Sequence, residues 1–238
     1  MKKSAKNARI SLQIRRPTQR RGQQKFKAIL DVADKMLVSR DPADISIYDL
    51  AAALKTSPPS IYHFFPDVSL VFVGLAERYI AELERMPLGG DTPVERWQEL
   101  FDIPFERVRI LFETRPSVRK LLLGPGLSYE ILDRDLATSV VNAGRLVKMM
   151  ERHFEMPSIP NLIDRFVEVI RINDAIWMLS IYRHGTITDE AAEFARRARI
   201  SYLRTMLPEY LPRRSHEKKA GPLNARRGAR TKGDRVRE

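Results

Sequence analysis

Apolar residues recur at steps of three and four along most of this chain, and proline or glycine interrupts the series at short intervals. The first series is Phe26, Leu30, Ala33 and Leu37, which share one face of a helix. The strand pattern, in which apolar and polar residues alternate between hairpin turns, is not found in the sequence. We therefore predict an all-α fold.

Four helices are predicted in the N-terminal part of the chain. They cover 18–39, 46–54, 58–64 and 68–85. The second and third helices are short, and only the three residues 55–57 separate them.

Residues suited to helix capping stand at the starts of both short helices. Ser46 is followed three residues later by Asp49, which is the spacing of a capping box with Asp in place of Glu. Ser57 is a capping residue type, and Pro58 stands at the first helical position, where its missing N–H costs nothing. Two short helices joined by such a turn are typical of a helix-turn-helix, although any small helical hairpin gives the same pattern.

Beyond the fourth helix the chain continues as helix after helix, with breaks at proline and glycine. The five further helices are predicted over 93–113, 116–123, 127–155, 160–184 and 188–206.

The net charge of +12 is concentrated at the two ends of the chain. Residues 1–40 carry +10 and residues 211–238 carry +7, whereas 41–210 carries −5. Basic ends favour a polyanionic partner, because binding releases counterions from it. The charge layout therefore points to a nucleic acid, although solubility alone would also explain it.

Composition excludes several classes of protein. Apolar residues make up 43% of the chain, so it is not disordered as a whole. There is no cysteine, which excludes disulfides, thiolate zinc sites and cysteine nucleophiles. No apolar run reaches the roughly 20 residues of a membrane helix, and the basic start lacks the apolar stretch of a signal peptide. We expect a cytoplasmic protein with no membrane partner.

A combination of motifs in the N-terminal part carries a family resemblance. It consists of Ile29-Leu30 with Ala33, the Ser-capped second helix, and the series Ser57, Ser60, Ile61, Tyr62 and Phe65 before a long fourth helix. The stretch from Arg21 to Tyr79 resembles the DNA-binding domain of the tetracycline-repressor (TetR) family of transcriptional regulators. Three positions depart from the family pattern, since Lys55 and Pro59 replace usual glycine or small residues and Val68 replaces a frequent lysine. A lysine in the turn either avoids the left-handed conformation or tolerates it at a small cost.

The resemblance implies which residues contact DNA. The residues of the turn and of the third helix would face the major groove. Tyr62 would contact one phosphate, and Ser46 would present the N-terminus of the second helix to another phosphate. Basic residues near the first helix would meet the backbone or minor groove. The candidates are Arg20, Arg21, Lys25, Ser46, Lys55, Thr56, Ser57, Pro58, Ser60, Tyr62 and His63. Their alternative interpretation is a solvated turn and helix face.

The resemblance also implies a domain organisation. A basic flexible arm, 1–17, precedes a three-helix helix-turn-helix DNA-binding domain, 18–66. A linker helix and a C-terminal helical bundle for ligand binding and dimerisation follow over 67–210, and 211–238 is a basic disordered tail. Dimerisation is expected through the helices at 160–184 and 188–206, so the operator would be a palindrome in double-stranded DNA.

A pocket for a small hydrophobic effector is expected among the helices at 93–113, 127–155 and 160–184. Its candidate wall residues are Trp97, Phe101, Phe105, Met149, His153, Asn173 and Trp177. Aromatic residues at helical spacing also serve as plain core. Asn173-Asp174 lies inside an apolar helix, and a buried polar group needs a partner, which could be a ligand, another side chain or a second subunit.

Together these features predict a sequence-specific DNA-binding transcriptional regulator, with repression released by a small effector as the default. The alternatives are a helical nucleic-acid-binding or adaptor protein without effector control, and a basic RNA or membrane-surface binder. No enzyme, metal site or cofactor is expected, because the four histidines are scattered and no phosphate loop or nucleophile motif occurs. The acid pair Asp133/Asp135 is interpreted as a solvated face.

Overall fold

The computed structural model describes residues 13–89, 94–124 and 129–214. Within these ranges the chain forms nine α-helices and one isolated β-bridge, between Phe154 and Arg213. The helices are α1 (Arg20–Leu37), α2 (Ile47–Ala53), α3 (Pro58–Tyr62), α4 (Val68–Arg85), α5 (Trp97–Thr114), α6 (Pro116–Leu122), α7 (Tyr129–His153), α8 (Leu162–His184) and α9 (Asp189–Arg204). The predicted all-α fold is confirmed.

Local signals set most helix boundaries. The prediction for α4 agrees with its observed bounds, because Asp67 accepts a hydrogen bond from the backbone N–H of Ser69 and caps the helix. Thr188 caps α9 in the same way through Ala191. The other helices are shorter than predicted by a few residues, since apolar periodicity does not mark where backbone hydrogen bonding stops.

The nine helices pack as a small N-terminal head on a larger helical body. In the head, α2 packs against α1 and α3. Helix α4 packs against α1 on one side and α7 on the other, and α8 lies between α7 and α9. Helix α6 also contacts α1, so the body touches the head at two places. None of the described helices is long and apolar enough to cross a bilayer.

The predicted flexible arm, 1–17, and the predicted disordered tail, 211–238, both include residues that make backbone hydrogen bonds with the folded part of the chain. Residues 13–17 of the arm are held to the head, because the N–H of Arg15 donates to the carbonyl of Phe64 over 2.8 Å. At the other end the N–H of Arg214 donates to the carbonyl of His153 over 2.8 Å, and Leu211 is buried. Residues 1–12 and 215–238, which hold the rest of the arm and the tail, lie outside the described residues.

Candidate nucleic-acid interface and ligand cavity

The start of α2 carries the capping box that the sequence predicts. The N–H of Asp49 donates to Ser46 Oγ over 3.2 Å, and the N–H of Ser46 donates to Asp49 Oδ2 over 2.8 Å. Hydrogen bonds from Ser46, and then from Arg40, lower the pKa of Asp49 to about 2. Ser46 is exposed, so a reciprocal pair of hydrogen bonds orders a solvent-facing helix N-terminus.

The turn between α2 and α3 is a left-handed cap built on a lysine. Lys55 has φ 50°, its N–H donates to Ala52 O over 3.1 Å, and the N–H of Thr56 donates to Ala51 O over 3.0 Å. These two bonds are the Schellman pattern that usually places glycine at the left-handed position. The sequence leaves two backbone conformations open for Lys55, and the chain adopts the left-handed one, which is less favourable for lysine than for glycine.

Helix α3 is anchored from beneath by apolar residues. Ile61, Phe64 and Phe65 are buried, and the ring of Phe26 from α1 stacks on Phe65 at 4.7 Å between centroids. The anchor fixes which side of this short helix faces outward.

The outward side of α3 and its turn carries most of the predicted contact residues. Ser57 and His63 are exposed, Tyr62 is 40% exposed, and Thr56, Pro58 and Ser60 are half-buried. Ser57 occupies the N-cap position, but its side chain makes no capping hydrogen bond. Its hydroxyl instead lies 3.1 Å from that of Ser60, and the two present a small polar surface beside Pro58.

Helix α1 carries acids that contact α4 and a cluster of basic residues at its N-terminal end. Asp31 and Asp34 are turned toward the body and pair with Arg78 of α4 at 2.6 and 3.1 Å. At the N-terminal end Arg20 and Arg21 are exposed and Lys25 is half-buried. The head therefore exposes basic residues at the start of α1, and Lys55 adds a further exposed cation in the turn.

Tyr48 on α2 is a candidate that sequence reasoning missed. Its side chain is 67% exposed, although it stands between the buried Ile47 and Leu50. The signal was available, because Tyr48 falls outside the buried stripe of a short amphipathic helix. An exposed ring with a hydroxyl is suited to contact with a phosphate.

A cavity lies in the body between α4, α5, α6, α7 and α8. It holds about 810 Å³ of space free of protein atoms, counting the part open to solvent. Its walls are largely apolar and include Leu83, Leu88, Phe105, Val108, Phe112 and Trp177. A concave, largely apolar lining with a few polar groups is typical of a small-molecule site.

A group of polar side chains from α7 and α8 also lines this cavity. Arg171 Nη1 donates to Asp135 Oδ2 over 2.6 Å, and Arg171 Nη2 lies 3.1 Å from Asp174 Oδ2 and donates to Ser139 Oγ. Burial raises the pKa of Asp174 to about 6; the Arg171 charge opposes this rise and the Asp135 charge adds to it. We call Asp135, Ser139, Arg171 and Asp174 the acidic end of the cavity.

Three of the seven residues proposed from the sequence for the ligand pocket line the cavity. They are Phe105, Asn173 and Trp177. Asn173 is buried, and its partner is another side chain, because Arg199 Nη1 donates to its Oδ1 over 2.7 Å. Arg199 also bonds Asp102 over 2.7 Å, so α8 is tied through α9 to α5.

The other four candidates lie away from the cavity walls. Trp97 is fully buried, and its indole N–H donates over 3.0 Å to a backbone carbonyl in the segment after α9. Phe101 and Met149 are buried in the core. His153 ends α7, where its carbonyl accepts from Arg214. Helical spacing identified these residues as inward-facing, but core and cavity positions have the same spacing.

The acidic end was largely missed from the sequence. The sequence predicts a solvated face for both Asp133 and Asp135; Asp133 is exposed, whereas Asp135 lines the cavity. A signal existed, because Asp135, Ser139 and Asn142 recur at steps of four and three on one face of α7.

Apolar side chains remain exposed on the last two helices. Tyr182 is 73% exposed, and Ile163, Leu179 and Phe194 are also exposed. Helix α8 thus presents apolar residues both to the core and to solvent.

Comparison with known proteins identifies the fold. No family model matches the sequence, and no curated protein matches it significantly. A tetR-family transcriptional regulator from Streptomyces coelicolor is similar with a TM-score of 0.56 and 15% identity, over 76% of this chain and 79% of that chain. A TetR transcriptional regulator from Rhodococcus sp. RHA1 gives 0.57 and 14%, over 76% and 96%. A TetR-family regulator from Pectobacterium atrosepticum gives 0.54 and 16%, over 79% and 95%. At such identities the likeness concerns the fold alone, and this chain has the fold of the TetR-family transcriptional regulators.

Proposed function

We propose that this chain is a sequence-specific DNA-binding transcriptional regulator that acts as a homodimer in the cytoplasm on a palindromic operator. The observation that carries the proposal is the anchored helix α3, which presents Ser57, Ser60 and Tyr62 outward from a basic head. A single α-helix fits the major groove of B-DNA, where each base pair offers a distinct set of donors and acceptors.

The contacts divide into two kinds. Thr56, Ser57, Pro58, Ser60 and His63 are the groove-facing residues, because they occupy the turn and the outward side of α3. The basic side chains of α1, Lys55 and the N-terminus of α2 at Ser46 meet phosphates, which position the protein without reading sequence. The fold likeness to transcriptional regulators is compatible with this division.

The dimer uses the exposed apolar side chains of α8 and α9. One short reading helix contacts too few base pairs for specificity, and a twofold axis doubles the contacts. The exposed residues Leu179, Tyr182 and Phe194 supply apolar surface for such an interface.

The cavity is the site of a small effector. When the effector binds, the protein releases the operator, so that the protein is a repressor. Leu83 of α4 and Leu122 of α6 line the cavity, and both helices contact α1 of the head. An effector that binds one arrangement of these helices better than the other shifts the population and so changes DNA affinity.

A gel-shift titration with genomic fragments at two salt concentrations tests the proposal. We expect a specific duplex to bind, and Ser60→Ala or Tyr62→Phe to lower its affinity roughly tenfold, the value of about one hydrogen bond. Matched controls are Ser158→Ala and Tyr210→Phe, which alter exposed residues far from α3. Equal binding of RNA or anionic vesicles, with no effect of either variant, would favour a binder that uses only the basic ends. No binding to any duplex would favour an adaptor.

A further inference from the structure

The polar groups of the cavity are not spread evenly over its walls. The acidic end brings Asp135 and Asp174 together around the single cation Arg171, which leaves one excess negative charge there among the described residues. The other cavity arginine, Arg145, is ten positions after Asp135 on α7, about 15 Å along the helix axis. Arg145 is engaged elsewhere, because it donates to the carbonyl of Met86 over 2.6 Å.

Asp174 is poorly supplied with hydrogen-bond donors for an enclosed carboxylate. Its Oδ2 faces Arg171 at 3.1 Å, but its Oδ1 accepts only a long 3.5 Å bond from the amide of Asn173. Burial raises the pKa of Asp174, which means that the ionised form is under-stabilised in the empty cavity. A ligand group that carries a positive charge or an N–H donor would stabilise the ionised carboxylate of Asp174.

A second, independent group in the same walls also lacks a partner. Trp177 is 2% exposed, and its indole N–H has no acceptor among the described residues. Its ring packs edge-to-face with Phe112, with centroids 6.1 Å apart, and Phe105 completes an aromatic wall. Aromatic faces attract cations, and a free indole N–H needs an acceptor atom on the ligand.

We propose that this cavity selects an organic cation, such as a protonated amine, that joins an apolar body to a hydrogen-bond acceptor. The inference rests on the proposed function only in taking this ligand to be the effector. The ammonium group binds at Asp174 and Asp135, the acceptor meets Trp177, and the apolar body fills the space lined by Leu83, Val108 and the other apolar residues. An anionic head would face two carboxylates across an arginine whose two Nη atoms are already paired. A neutral apolar ligand would leave Asp174 Oδ1 with only the long bond from Asn173.

Three probes that share one body test the charge preference. These are 4-(4-methoxyphenyl)butylamine, 4-(4-methoxyphenyl)butanol and 4-(4-methoxyphenyl)butanoate, whose methoxy oxygen is the acceptor for Trp177. They are titrated into the full chain without DNA at pH 7.5. Tryptophan fluorescence reports binding, because Trp177 lies in the wall. We expect the ammonium compound to bind at least tenfold more tightly than either of the others. A preference for the carboxylate, equal affinities, or no binding of any probe would overturn the proposal.

Two variants test whether Asp174 causes the preference for the ammonium compound. Asp174→Asn removes the charge with little change of shape and should abolish the preference for the ammonium compound. Asp133→Asn removes an exposed acid of the same helix α7 that carries Asp135 and should leave the preference intact. If Asp174→Asn does not fold, the comparison of the three probes on the unmodified chain still tests whether the cavity prefers a cation.

Operator binding is measured separately on the same preparations. A chain that shifts its operator but shows no ammonium preference contradicts this inference alone. A chain that binds no duplex and still prefers the ammonium compound contradicts the proposed function and supports the cation-selective cavity.

Discussion

The ammonium group of Lys120 on α6 donates to the main-chain carbonyl of Arg40 over 3.0 Å. Arg40 Nη1 in turn donates to Asp49 over 3.2 Å, and Asp49 closes the capping box with Ser46 at the start of α2. The last turn of α6 contributes Leu122 to the cavity wall. A movement of α6 at the cavity therefore reaches the start of the helix-turn-helix through direct contacts.

Replacing Lys120 tests this connection. We expect Lys120→Met to raise amide hydrogen exchange over residues 45–50 about fivefold, since a lost hydrogen bond of about 1 kcal/mol makes local opening easier. Mass-spectrometric exchange measures the change. Lys148→Met, which alters an exposed lysine of α7, is the control. Unchanged exchange at 45–50 would show that α6 does not support the start of α2.

Replacing Lys55 tests the cost of the left-handed turn. Because glycine adopts φ 50° without a Cβ clash, we expect Lys55→Gly to raise the free energy of unfolding by about 1 kcal/mol relative to Lys55→Ala. Thermal unfolding of the two variants is the measurement. Both variants lose the charge, so any equal loss of DNA affinity reports a phosphate contact. If the glycine variant is no more stable than the alanine variant, the turn is unstrained.

The enclosed Asp174 predicts a pH-dependent stability difference. Its pKa is raised from 3.8 when unfolded to about 6 when folded, so the stabilising contribution of the protonated form is complete below pH 3.8 and is lost as the pH rises through about 6. Asn resembles the protonated acid. We expect Asp174→Asn to be about 3 kcal/mol more stable than the unmodified chain at pH 7.5 and about equal at pH 4.

Urea unfolding at the two pH values measures this difference. Asp133→Asn should show no such pH dependence, because Asp133 is exposed. A constant difference for Asp174→Asn at both pH values would mean that Asp174 titrates normally in the folded protein.

The buried pair Asn173–Arg199 predicts a stability loss on truncation. Asn173→Ala leaves the guanidinium of Arg199, which is almost fully buried, without one of its two oxygen partners. We expect a loss of about 2 kcal/mol in the free energy of unfolding. Asn142→Ala provides the comparison, because its partner Arg145 keeps a backbone carbonyl and the site is less buried. Equal losses in both variants would contradict the special role of the buried pair.

The local structure of this protein follows from its amino-acid sequence. Apolar spacing predicted the nine helices, and the Ser46–Asp49 spacing and Pro58 predicted where two of them begin. These features follow from contacts within a few residues, so the pattern that causes them is visible in the sequence.

Which inward-facing residues border empty space, and which belong to the core, depends on the packing of distant helices. Trp97 and Trp177 have the same amphipathic signature, yet only Trp177 lines the cavity, because cavity walls depend on how α5, α7 and α8 meet. In the same way, the partner of Asn173 is Arg199, 26 positions away on another helix. Packing between distant segments is a property of the whole fold, and helical periodicity carries no information about it.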